Sequence, residues 1–372
     1  RPFKKERADG RRIGEHRINL HVYASARANS GQRNSLIRSS AMDLFSLTRQ
    51  LVDIESITPN EEAVGNFLCE ELRRRGFEVS KMPVEGVRAN VWSTWPGHTE
   101  PTVVLSTHMD TVPPFIRSSE DEHRIAGRGS CDAKGIIAAQ VHAAERLRSD
   151  GVHVGLLFLV GEERDSLGAR VANQSPRGSQ FLINGEPTEN RIALASKGAL
   201  RVELTARGKM AHSAYPELGD SAINKLVRAL HRLLDMPLPS HPEFGPCTMN
   251  IGGIQGGRAP NVIPDLAKAE LLYRLIGPSE ELRKKIFNTV GDLAEIDIPL
   301  EIPFVELQKV QGLPTMVAAF TTDIPALSRW GKPALVGPGS IHVAHTEGEY
   351  VEKRQLVEAV DLYCRIAKQF MS

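Results

Sequence analysis

Seven acidic or imidazole side chains stand where apolar runs of the chain end. His108 and Asp110 follow Thr102–Ser106, Glu162 and Glu163 follow Val154–Val160, and Glu186 follows Gln180–Ile183. Asp132 opens a helical stretch just after Gly127-Arg128-Gly129, and His345 lies beyond the Gly337-Pro338-Gly339 turn that follows Ala334–Val336. A lone carboxylate at a strand end is ordinarily a helix cap or a solvated group. A lone histidine is ordinarily a satisfied core residue. Coincidence of all seven at equivalent places is what points to chemistry, because ligands of open α/β sheets gather outside the carboxyl ends of the strands. Carboxylates brought so close repel one another unless cations compensate them. Two divalent metals would do so, and mixed histidine and carboxylate donors suit zinc, with cobalt or manganese as substitutes.

These side chains need elements to carry them. Helical periodicity starts at Met42, with helices expected over 43–55 and 60–75, the second closed by Gly76. Strand-like runs at 77–82, 90–95, 102–106, 154–160 and 180–183 alternate with a helix over 134–148 and a looser one near 168–175. Runs such as Gly155-Leu156-Leu157-Phe158-Leu159-Val160 have no polar face, as in strands buried on both sides of a largely parallel sheet. From about 197 the pattern changes to a strand (200–206), a helix (221–234), two strands (248–254 and 268–275), a helix (279–294) and a strand (300–306). That β-α-β-β-α-β order is the ferredoxin-like unit. After 315 a helix, a strand and a final helix over 351–370 are expected. The fold class that follows is α/β: a large, mostly parallel sheet with helices on both faces, formed by 42–195 and 310–372 and interrupted by a small α+β domain over 196–309.

Composition narrows the function. The 372 residues are 41% hydrophobic and 24% charged with a formal net charge of +1, which speaks against nucleic acid as a partner. No apolar run reaches the roughly 20 residues of a membrane-spanning helix, so no membrane segment is expected. Ten Lys/Arg against three acids in residues 1–41 leave a mildly acidic body behind a basic leader. That leader lacks a secretory apolar core and reads as a poorly ordered extension, with Met42 as a natural start. Cys69, Cys131, Cys247 and Cys364 are scattered with no CxxC spacing, a usage suited to a reduced cytoplasmic protein. Gly127-x-Gly129 lacks the third glycine of a dinucleotide fingerprint, and no Gly-x-Ser-x-Gly elbow supports a serine hydrolase.

The strings Ser-Thr-His108-Met-Asp110-Thr-Val-Pro, Gly127-Arg-Gly-Ser-Cys-Asp132-Ala-Lys-Gly, Gly-Glu162-Glu163, Gly-Glu186-Pro-Thr and Gly337-Pro-Gly-Ser-Ile-His-Val-Ala-His345-Thr resemble the motifs of one family. It is the zinc-dependent amidohydrolase and peptidase family of acetylornithine deacetylase, succinyl-diaminopimelate desuccinylase, aminoacylase and glutamate carboxypeptidase. The likeness runs over about 42–372 with the motifs in order. It implies that Asp132 bridges two zinc ions, with His108 and Glu186 on one and Glu163 and His345 on the other. Asp110 would steady His108 from behind, and Glu162 would be the general base. Gly208-Lys-Met-Ala-His212-Ser-Ala-Tyr-Pro matches the segment whose histidine polarises the substrate carbonyl, often in the partner subunit's site. Asn261 and Arg274 fall at substrate-binding positions, Arg274 suiting a free carboxylate. The turn with Gly339 and Ser340 can offer backbone N–H groups to the same carboxylate.

The resemblance therefore implies a homodimer formed through the small domain and an amide hydrolase acting on a small N-acyl amino acid or dipeptide. The tail leans towards acetylornithine deacetylase-like members; a desuccinylase, a dipeptidase or a carboxypeptidase is the alternative within the family. A non-catalytic binding protein on the same fold is the alternative of another class, and the presence of the base together with all five ligands argues against it.

Overall fold

A computed structural model describes residues 42–372; the basic extension expected over 1–41 lies outside the described residues. In chain order the larger part opens with helices α1 (Leu44–Val52) and α2 (Glu62–Arg74), then strands β1 (Glu78–Glu85), β2 (Arg88–Thr94) and β3 (Val103–His108). Helix α3 (Lys134–Ser149), β4 (Gly155–Leu159), α4 (Leu167–Gln174), β5 (Phe181–Asn184) and β6 (Ile192–Ser196) follow. The smaller part comprises β7 (Gly198–Arg207), α5 (Ala222–Asp235), β8 (Thr248–Gly256), β9 (Leu266–Leu275), α6 (Glu280–Val290) and β10 (Glu295–Ile302). The chain then returns through β11 (Thr315–Ala318) and β12 (Lys332–Leu335) to α7 (Lys353–Met371).

The main sheet has the order β1-β2-β4-β3-β5-β12. Four strands, β4, β3, β5 and β12, run parallel, and β1 and β2 add an antiparallel edge. The central strands β3 and β4 are buried at every residue, as their unbroken apolar character requires. Helix α3 is buried along most of its length between this sheet, α1 and α7. One core joins Leu47, Leu68, Leu105, Ile136, Phe158, Ile183 and Tyr363. A separate core in the smaller part joins Leu200, Leu226, Leu271, Tyr273 and Ile286. There the sheet order β8-β9-β7-β10, all antiparallel, is the ferredoxin-like arrangement.

Three local expectations are corrected. The strand expected at 300–306 begins at Glu295, because α6 ends at Gly291, whose φ of +58° a helix cannot continue. Pro303 then separates it from a two-residue strand, Val305–Glu306, that pairs with β6 instead. In place of a helix after 315, the chain forms β11, parallel to β6, and a single 3₁₀ turn, Ile324–Leu327, with Pro325 near its start and Gly331 soon after. Among the described residues no helix is long and apolar enough to cross a membrane, and all four cysteines are free and buried.

Candidate metal centre

The parallel pairing of β4, β3 and β5 brings their carboxyl ends to one edge: His108 lies level with Leu159, and Ser106 with Asn184. Beyond that edge the chain turns sharply at Gly161. Its φ of +79° and its closeness to Arg88, whose Nη2 would lie 2.8 Å from an added Cβ, leave room for no side chain. Arg88 is itself held by a buried two-pronged pair with Glu61, at 2.9 and 2.7 Å. The turn delivers Glu162 and Glu163, and Asp110 fixes them. Its Oδ1 accepts the Glu162 N–H at 3.1 Å, its Oδ2 accepts the Glu163 N–H at 3.2 Å, and the Thr58 hydroxyl donates to Oδ2 at 2.6 Å.

His108 is buried, and its two ring nitrogens face acceptors. Nδ1 lies 3.1 Å from the Asp110 carbonyl and 3.5 Å from its carboxylate; Nε2 lies 3.0 Å from Asp132 Oδ1. A carbonyl can only accept, so Nδ1 carries the proton. The Nε2 lone pair then points at a carboxylate oxygen, which is repulsive unless a cation or a second proton sits between. His345 faces carboxylates too: its Nε2 lies 3.2 Å from Asp132 Oδ2 and 2.9 Å from Glu163 Oε1. Each oxygen of Asp132 thus faces a different histidine. One donor atom each from His108, Asp132 and Glu163 can lie within 4.8 Å of the others. Glu186 is buried after β5, and its Oε1 has no hydrogen-bond partner among the described residues.

Electrostatics follow from this crowding. Burial pushes the Glu162 and Glu186 carboxyls well above the usual range; His108 opposes the rise, and neighbouring acids reinforce it. Burial also raises Glu163, although His345 works the other way. Burial would raise Asp132 as well, but His108 and His345 outweigh it and hold this carboxyl below its usual value. Asp132 and Glu163 lift His345 to about 10. His108 is burdened by burial yet raised well above its usual value by Asp110 and Asp132.

The donor set fits metal ions. With bonds near 2.1 Å, neighbouring ligand atoms in a tetrahedral site sit roughly 3.4 Å apart. The distances of 2.9–3.2 Å between His108, Asp132, Glu163 and His345 are close to that.

Three further residues singled out by sequence, His212, Asn261 and Arg274, belong to the smaller part. His212 and Asn261 flank a short ribbon of the smaller part: His212 pairs with Val262, and the Ser213 N–H donates to the Asn261 carbonyl at 3.0 Å. His212 is exposed, and its Nδ1 accepts the Ala214 N–H at 3.1 Å, so in the neutral ring Nε2 carries the proton outward. Arg274 on β9 is half-buried and lacks an acidic partner among the described residues. None of the three is hydrogen-bonded to the acid–histidine cluster.

In the turn, the backbone N–H of Gly339, expected to face a substrate carboxylate, is taken up within the protein, as is the Ser340 hydroxyl. The Gly339 N–H donates to Gln355 Oε1 at 2.9 Å and the Ser340 hydroxyl to Glu189 Oε1 at 2.8 Å. The turn is instead packed against the Asp132 loop, since a Cβ on Gly339 would lie 2.5 Å from Cys131.

Sequence reasoning missed two acids. Asp323 is buried, neither of its oxygens has a hydrogen-bond partner among the described residues, and burial lifts its carboxyl to about 7. Glu349 is buried against the loop that carries Asp132. Its only sequence signal is its place four residues after His345.

Comparison with known proteins agrees with this architecture. The peptidase dimerisation domain of the M20 type matches residues 194–297. A peptidase M20 domain-containing protein of Schizosaccharomyces pombe is 41% identical over 87% of this chain and 84% of its own length. A "Probable carboxypeptidase" of Aspergillus terreus is 37% identical over 95% of this chain and 94% of its own. The crystal structure of aminopeptidase PepT from Bacillus cereus superposes with a TM-score of 0.76 at 21% identity, covering 90% of this chain and 99% of that one.

Proposed function

This chain belongs to the M20 peptidase family, and we propose that it is a two-metal exopeptidase of the carboxypeptidase or dipeptidase type, cleaving an amide bond next to a free carboxylate. The observation that carries this reading is Asp132, whose two oxygens lie 3.0 and 3.2 Å from two different histidines. His108, Asp132 and Glu186 would hold one ion; Asp132, Glu163 and His345 would hold the other, with zinc the best match to the donors and cobalt or manganese as substitutes. Such a pair supplies Lewis acidity, making a water nucleophilic at neutral pH and polarising the scissile carbonyl.

The protein's own residues do the rest. Glu162 takes the proton of the attacking water and delivers it to the leaving amine. Asp110 orients His108 and, through two backbone N–H groups, the Glu162–Glu163 segment. His212 donates through Nε2 to the carbonyl oxygen as charge develops on it. Arg274, with no acid of its own, pairs with the substrate's free carboxylate, and Asn261 lies beside His212 to hold the backbone of the substrate. Gly339 packs against Cys131 and so shapes the Asp132 loop, and the Ser340 backbone N–H remains a candidate donor to the same carboxylate.

A homodimer through the smaller part is supported by the matched dimerisation domain and by β8, an edge strand carrying the exposed Ile254. His212 is exposed on the smaller part and has no hydrogen bond to the metal cluster among the described residues, which fits its delivery to a partner's site. Deacylation of an N-acetyl amino acid, the subclass favoured by the tail motif, would use the same machinery. The test is a metal-replete turnover screen of dipeptides, N-blocked dipeptides and N-acetyl amino acids, each as free acid and as amide, with and without chelator. Chelator-sensitive cleavage confined to free acids is expected; metal-independent turnover would overturn the reading.

A further inference from the structure

The mechanism leaves one buried carboxylate unused. Glu349 is 1% exposed, and its Oε1 accepts three backbone N–H groups, those of Gly129 at 2.9 Å, Cys131 at 3.2 Å and Asp132 at 3.2 Å. Its Oε2 accepts from Arg128 Nη1 at 2.6 Å, and its own carbonyl accepts the Gly127 N–H at 3.0 Å. Burial of a charge is tolerated where it is paired and its lone pairs are filled, as here. What it grips is a ligand residue's own N–H and the loop leading into it. Glu349 itself stands four residues after His345 in the same irregular segment, His345 being a non-glycine residue at a φ of +63°. Its hydrogen bonds reach Asp132 but neither His108 nor Glu186. His108 is the last residue of β3 with its Nδ1 on the Asp110 carbonyl, and Glu186 follows β5 directly.

We propose that Glu349 is a positioning residue that yokes the Asp132 loop to the His345 segment; because Asp132 serves both ions and His345 only one, it acts more strongly on the half of the metal centre formed by Asp132, Glu163 and His345 than on the half formed by His108, Asp132 and Glu186. The inference rests on the two-metal reading given above. It predicts an asymmetric defect: loss of Glu349 weakens the ion on the His345 side far more than the ion on the His108 side. A residue that only stabilised the fold would lower the affinity for both equally or for neither.

The experiment is equilibrium dialysis of the full chain against Co²⁺, counting ions per chain and recording the visible spectrum, with thermal unfolding as a control for folding. Wild type is expected to take up two ions. Glu349→Ala is expected to bind the first ion only slightly more weakly than wild type and the second roughly 10–100-fold more weakly, with the same spectral band lost as in His345→Ala. Glu349→Gln, which keeps an oxygen for the three N–H groups, is expected to fall between the two. Equal affinity for both ions in Glu349→Ala, or an equal loss of both, would overturn the proposal. Should Glu349→Ala not fold, Glu349→Gln decides: a second ion held as tightly as in wild type overturns it. A wild type that takes up fewer than two ions, with His345→Ala unchanged, would overturn the two-metal reading itself and this inference with it.

Discussion

Replacing Glu162 with alanine separates the chemistry of the site from its metal binding. The side chain is not one of the three whose donor atoms converge within 4.8 Å, and the backbone beneath it is held by Asp110 at 3.1 Å whatever side chain it carries. Glu162→Ala is therefore expected to keep both ions and the local fold. Loss of a general base costs roughly 10²–10⁴-fold in rate, about 3–5 kcal/mol of activation barrier at 1.36 kcal/mol per tenfold, and the loss should appear in kcat with little change in KM. Stability should move the other way in the metal-free protein. Burial and the acids around Glu162 raise its pKa on folding, so the folded state binds more protons than the unfolded one above the unfolded pKa near 4.5. The charged side chain then destabilises the fold increasingly as pH rises. Metal-free Glu162→Ala should thus melt above wild type at pH 7 and close to it at pH 4, where both states are protonated. Steady-state kinetics, metal analysis and pH-resolved melting test all three parts. A variant with a tenth or more of wild-type kcat would refute the base assignment, and one lacking an ion would make Glu162 a ligand.

Stripping the ions with a chelator should lower the melting temperature, because the clustered carboxylates lose their compensation, and zinc at 100 times its Kd should return about 2.7 kcal/mol; a thermal-shift titration without displacement would contradict a resident metal. Arg274→Ala should weaken kcat/KM for free-acid substrates by roughly 10–150-fold, the 1.5–3 kcal/mol of a charge-assisted hydrogen bond, and leave amidated analogues unaffected; equal losses on both would remove its role as carboxylate partner. His142 is mostly buried on α3, its Nε2 has no hydrogen-bond partner among the described residues, and burial with Arg75 nearby lowers it to about 4 from an ordinary 6.5. The unfolded chain protonates first, so stability is lost as pH falls from about 6.5 towards 4, by at most about 3 kcal/mol at 1.36 kcal/mol per unit. Urea unfolding of His142→Gln should show a shallower loss across that window, and an unchanged slope would refute the assignment.

How far the sequence could be read depended on the range of the interaction. His108, Glu162, Glu163 and Glu186 were legible because each follows a strand buried on both faces, and parallel pairing then puts strand ends at one edge. The ferredoxin-like unit was legible because β7 and β9 alternate apolar and polar residues. Glu349 was not, since its partners lie 217 to 221 residues away and nothing local marks it. Partners outside the turn also hid the fate of Gly339: a glycine-rich turn looks like an anion nest until the side chain of Gln355 occupies its N–H. The failed helix after 315 had another cause. Residues 315–318 pair with β6, a strand whose own sequence showed no clear alternation, and pairing outweighed local preference.

The acids of this pocket divide by how their lone pairs are filled. Asp110 accepts two backbone N–H groups and a hydroxyl, and Glu349 accepts three N–H groups and an arginine. These two are fully bonded within the protein and can offer little to a ligand; what they do is aim the residues whose N–H groups they hold, Glu162, Glu163 and Asp132. Glu162, Glu186 and Asp323 are the reverse case, with pKa values raised by burial; for Glu186 and Asp323, oxygens without partners among the described residues accompany the rise. Placing such groups together costs folding energy, and at Glu162 Asp110 holds the backbone that keeps the side chain in place. Reactivity therefore resides in the unfilled carboxylates and geometry in the filled ones. On that division a substitution at Asp110 should resemble one at Glu349, impairing metal affinity through displaced backbone, whereas one at Glu162 should leave the ions in place and remove the proton transfer.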